Sequence, residues 1–104
     1  MTSPVVVLTL VAPRALEEKL VQTLLTHDVV GATGFSVREI VAYGRSLNFK
    51  TVGEQISGRV RQIEAQAVLA ADQVQLIIDQ LSAEMQGQHV KWRITPVTAA
   101  GEIS

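Results

Sequence analysis

Glycines at Gly31, Gly34, Gly44, Gly53 and Gly58 stand among the cations Arg38, Arg45, Lys50, Arg59 and Arg61, a local basic excess in a chain whose formal net charge is -1. Glycine admits close backbone approach, and backbone N–H groups with guanidinium forks can together hold an anion such as a phosphate. The same residues also read as ordinary turn glycines with solvated arginines, because no G-x-x-x-x-G-K-[ST] phosphate loop accompanies them. The two histidines, His27 and His89, fall in no metal-ligand spacing, and a chain without cysteine offers neither thiolate chemistry nor a Cys-ligated metal. His27, beside Asp28 at the end of a helix, reads as a dipole partner instead. No G-x-S-x-G string and no nucleophile with a recognisable base occurs, so no enzymatic activity is expected. Tyr43 and Trp92 suit packing or subunit contact, and an aromatic content of 4% gives no base-stacking surface for nucleic acid.

The elements that must position these residues follow from periodicity. Residues 5–11 are apolar on both faces of a period-2 ribbon apart from Thr9, which reads as a central strand. Pro13 suits the first position of a helix, Glu17 and Glu18 favour its positive end, and Leu16, Leu20, Val21, Leu24 and Leu25 form one stripe. Alternation resumes from Phe35 through Val37, Val41 and Tyr43 as a second strand. The chain turns polar and aperiodic over residues 44–53, and Gly58 opens a third strand over 59–70. Asp72 can cap a helix bearing Val74, Ile77, Ile78, Leu81 and Met85, Gly87 stops it, and a fourth strand within residues 89–97 ends at Pro96. The order β-α-β-β-α-β predicts an α+β, ferredoxin-like domain: a four-stranded antiparallel sheet with two helices on one face.

At 104 residues, 47% hydrophobic, the chain can bury about 65% of its unfolded surface, enough for one core and one domain over residues 1–104. With 9 Lys+Arg against 10 Asp+Glu it carries no broad basic field for nucleic acid. The apolar run over residues 4–12 is too short to span a bilayer and has no basic leader, so a cytoplasmic location is expected. Two helices cover one sheet face, yet the first strand is apolar on both. Self-association through the other face is therefore expected.

The strings VVVLTLVAPRALEEKLVQTLL, GATGFSVREIVAYGR and VKWRITPV, in this order, resemble the PII-like family of signalling proteins over most of the chain. The segments LNFKTVGEQISGRVRQIEAQAVL and PVTAAGEI are similar to a small PII-related family whose genes often neighbour heavy-metal efflux pumps of the resistance-nodulation-division type. The resemblance implies a homotrimer with its sheets facing inward. It also implies a small effector, commonly an adenine nucleotide, held between subunits, and an exposed T-loop that contacts a membrane transporter or enzyme. Carried onto matching positions, Gly31, Ala32, Thr33, Gly34 and Phe35 would line part of the effector cleft, with Gly44 and Arg45 at the base of the loop. Residues 43–56 would face the partner, with Tyr43, Arg45, Asn48, Phe49 and Lys50 among them.

The chain departs from better-known PII proteins in two places. Between the second helix and the fourth strand it has only MQGQHVKW, and the closing TAAGEIS contains no arginine. Lys91 and Arg93 would then supply part of the phosphate grip, although strand alternation suits them equally to a solvated or subunit-contact face. Tyr43 precedes the loop tip, so uridylylation is not expected. Two alternatives share the fold: a metal-linked protein resembling the CutA-type copper tolerance proteins, and a small ferredoxin-like enzyme. The lack of cysteine and of a histidine pair weighs against the first, and the lack of a nucleophile or paired acid against the second.

Overall fold

The structure, a computed structural model, describes residues 4–45, 47 and 51–104, apart from the side chain of Ile56. Strand β1 (Val5–Pro13) leads through a 3-10 turn (Arg14–Leu16) into α1 (Glu17–Thr26) and a short helix α2 (Asp28–Thr33). Strand β2 (Ser36–Tyr43), the short helix α3 (Val52–Ser57), β3 (Arg59–Ala70), α4 (Ala71–Glu84) and β4 (Lys91–Pro96) follow. The strands form one antiparallel sheet in the order β2-β3-β1-β4. This is the expected ferredoxin-like arrangement, extended by α2 and α3.

Register explains the core. Leu8 lies opposite Ala67 of β3 and Ile94 of β4, and Leu10 opposite Ala65 and Trp92, so the even positions of β1 share a face with the odd positions of β3. That face is sealed by Leu20 and Leu24 of α1, Val30 of α2, and Val74, Ile77 and Leu81 of α4. Removing this apolar area from water is the main stabilising term, at roughly 25 cal/mol per Å². Two contacts tie the helices to each other: Thr23 Oγ1 donates to Glu84 Oε2 at 2.8 Å, and Lys19 Nζ donates to the Glu84 carbonyl at 3.0 Å.

Pro13 ends β1 rather than beginning the helix, and a 3-10 turn intervenes. Leu25, expected in the apolar stripe, is 55% exposed, whereas Thr23 is buried through its bond to Glu84. Gly31 lies inside α2, where a β-carbon would collide with the Leu25 carbonyl oxygen, so the close approach of α1 and α2 requires glycine. His27 starts α2 as an acceptor: its Nδ1 receives the N–H groups of Val29 and Val30 at 3.2 and 3.3 Å.

The opposite sheet face carries no helix from α1 or α4. Its middle is polar: Glu64, only 6% exposed, is held by Arg38 of β2, whose Nε and Nη2 both lie 3.0 Å from Oε1. Arg93 of β4 completes the cluster, with Nη2 3.8 Å from Glu64 Oε2. Towards the end where β1 begins, Val5 and Val68 leave apolar surface exposed. Among the described residues no helix is long and apolar enough to cross a membrane.

Candidate functional site

One end of the sheet gathers the C-terminal ends of β1 and β2 with the N-terminal ends of β3 and β4. Leu47 and helix α3, from the long connection between β2 and β3, lie beside it. The base of that connection is pinched by the Gly44 N–H, which donates to the Gly58 carbonyl at 2.8 Å, and Gly58 adopts φ 67° to stop α3. Helix α3 starts with a reciprocal cap: the Glu54 N–H donates to Thr51 Oγ1 at 3.0 Å, and the Thr51 N–H donates to Glu54 Oε1 at 3.2 Å. Val60, on the sheet face that α1 and α4 leave bare, is nevertheless only 6% exposed. Gly44 packs on Leu47, where a β-carbon would meet its Cγ at 3.1 Å.

Between this connection and the sheet lies a cavity of about 570 Å³. Leu47 and Glu54 line it from the loop side, Arg61 and Lys91 from the sheet, and Arg14 and His89 from the turns that follow β1 and precede β4. Arg14 is paired through Nε with Glu39 Oε1 at 2.7 Å. Arg61 and Lys91 have no ion pair or side-chain hydrogen bond among the described residues. His89 holds a left-handed backbone at φ 60°, the one non-glycine described residue to do so. Such a conformation costs on the order of 1–3 kcal/mol and tends to persist where the surroundings fix it, often at binding sites. Cations outnumber carboxylates around this cavity, so its chemistry favours an anion.

The effector residues inferred from the resemblance divide among four places. Lys91 lies in the cavity wall, and Gly44 and Arg45 lie at the base of the loop. Arg93 points to the bare sheet face, where it contacts Glu64. Gly31, Ala32 and Thr33 belong to α2, Gly34 caps it at φ 97°, and Phe35 packs on the core. Within one copy the length of β2, eight residues or about 26 Å, separates that turn from the loop base. Of the partner-facing residues, Tyr43 is exposed at the end of β2 and Arg45 is exposed beyond it. Asn48, Phe49 and Lys50 lie outside the described residues.

Sequence reasoning missed Arg14, Glu54 and His89 as cavity residues. The signal for Glu54 was present in the Thr51-x-x-Glu54 capping pattern. Arg14 and His89 carry no local signal, because only the register of β1 against β3 and β4 brings them together.

The family model described as "Protein of unknown function (DUF3240)" matches residues 2–104. The chain belongs to the DUF3240 family. Among solved structures, a DUF3240 family protein from Shewanella baltica is similar with a TM-score of 0.75 and 19% identity, covering 98% of this chain and 99% of that one. Arabidopsis thaliana PII bound to citrate is similar with a TM-score of 0.62 and 16% identity over 91% of this chain and 78% of that one. A protein described as PII-like from Thermus thermophilus gives 0.56 and 22% over 91% and 88%. No curated protein matches the chain. The DUF3240 chain therefore shares its fold with PII and PII-like proteins.

Proposed function

We propose that this DUF3240 protein is a non-catalytic, PII-like regulator that binds a small anionic effector, an adenine nucleotide being the first candidate, in the cavity beneath its 43–56 loop. The observation that carries the reading is the pair of cations, Arg61 and Lys91, beside a cavity whose other wall includes Leu47 and Glu54 of that loop. An anion neutralising those cations acts on the same groups that the loop faces, so occupancy is transmitted to the loop without chemical turnover. A protein of this fold bound to citrate fits a small polyanion as ligand class. The reading places the protein in the cytoplasm as a homotrimer and its loop against a partner such as a membrane transporter or efflux pump. In the trimer the turn at residues 31–35 of a neighbouring copy would reach the cavity that its own copy holds about 26 Å away.

The test is calorimetric titration of the full chain with ATP, ADP, AMP, citrate and inorganic phosphate. At least one anion is expected to bind, with affinity reduced about tenfold or more in Lys91→Gln. Absence of binding across the panel, or equal affinity in the variant, contradicts the assignment.

A further inference from the structure

β4 is an edge strand, bonded to β1 on one side only, and all six of its residues are exposed. Its two faces differ. Lys91 and Arg93 lie on the bare side of the sheet, whereas Trp92 and Ile94 lie on the helix side, largely uncovered. Trp92 borders a cleft of mixed polarity, about 570 Å³, that Ile78, Leu81, Met85 and Val90 line together with Ser82 and Gln86. Natural edge strands are usually blunted, as Lys91 and Pro96 blunt the two ends of β4, but the exposed Trp92 and Ile94 between them leave a template for another strand.

The segment after β4 has the complementary pattern. Val97 is anchored by its N–H to the Val5 carbonyl at 3.2 Å, but residues 98–104 are exposed and, among the described residues, no hydrogen bond ties them to the sheet. Ile103 is fully exposed. In an extended segment Ala99, Gly101 and Ile103 share one face and Ala100 and Glu102 the other, matching the apolar and basic faces of β4. An antiparallel alignment that sets Ile103 beside Trp92 sets Glu102 beside Arg93. The segment does not fold back on its own β4. A two-residue hairpin turn would need positive φ at Val97, and in one form at Thr98, where β-branched side chains resist it.

We infer that residues 98–104 of one copy add as a strand to the free edge of β4 in a second copy, with Ile103 capping the cleft at Trp92 and Glu102 pairing with Arg93. The partner is this chain itself, since the complementary pattern lies in its own sequence and the local turn is unfavourable. The effector reading above does not depend on this contact.

Sedimentation equilibrium over a concentration series tests it, on the full chain, on a chain lacking residues 98–104, on Ile103→Asp, and on Val97→Asn/Thr98→Gly. The truncation and Ile103→Asp are expected to raise the association Kd about tenfold or more with the far-UV circular dichroism spectrum unchanged, since the exposed segment adds nothing to the core. The double variant supplies an Asn-Gly turn, closes the segment on its own β4, and is expected to associate no more tightly than the truncated chain. A full chain that is monomeric throughout, or a truncated chain that associates like the full one, overturns the inference.

Discussion

Leu8, Leu10, Ile63 and Ile77 lie on the helix-covered side of the sheet with almost no solvent contact, whereas Arg61 and Lys91, on the same strands or their neighbours, stand beside an open cavity without a partner among the described residues. The strand interiors are committed to stability and, in the reading proposed above, the strand ends at the loop to binding. β3 shows both within one element, passing from Arg59 and Arg61 at the loop end to Ala65, Ala67 and Leu69 beneath the helices. Such a division lets the loop end vary its charge without disturbing the core, because charged side chains there need no burial. The bare sheet face is intermediate: it buries a carboxylate, but under two arginines that stay largely in water.

The comparison breaks if a core substitution and a loop-end substitution affect the same property. The largest effect belongs to Leu8→Ala, which leaves a cavity among β1, β3 and the helices and is expected to cost about 2–5 kcal/mol by urea unfolding. Anion affinity in the folded fraction should be unchanged. A smaller effect is expected from Glu64→Gln, which removes the charge that Arg38 and Arg93 share. Because both arginines remain hydrated, the expected loss is about 1–2 kcal/mol, checked by the same unfolding experiment and by its weakening at high salt. A loss as large as that of Leu8→Ala would place this face on the same footing as the core.

Much of the scaffold was legible in the sequence for reasons the structure makes plain. β3 spans residues 59–70 as expected, because its flanking glycine and long alternation leave no competing period. α4 carries its apolar residues at three- and four-residue spacing, and Val74, Ile77 and Leu81 are buried as that spacing requires. α2 was not legible: its starting residue is a histidine acting through Nδ1, and its Gly31 looks like a turn residue until the Leu25 carbonyl is seen against it. Leu25 misled because hydrophobicity alone placed it in the stripe, while the geometry of α1 turned Thr23 inward to meet Glu84. At the candidate site the cation Lys91 could be read from the sequence. Of its company only Arg61 could be, within the cluster of cations around the glycines, since Arg14 and His89 join them only through strand register and a left-handed residue.

The most direct test of the central claim is amide hydrogen exchange of the full chain with and without saturating ATP or citrate. Binding beneath the loop predicts slower exchange across residues 44–58, with the Gly44 and Gly58 amides among those protected and the amides of β1 and β3 inside the core unchanged. Identical exchange at 44–58 in the presence and absence of both anions would contradict it.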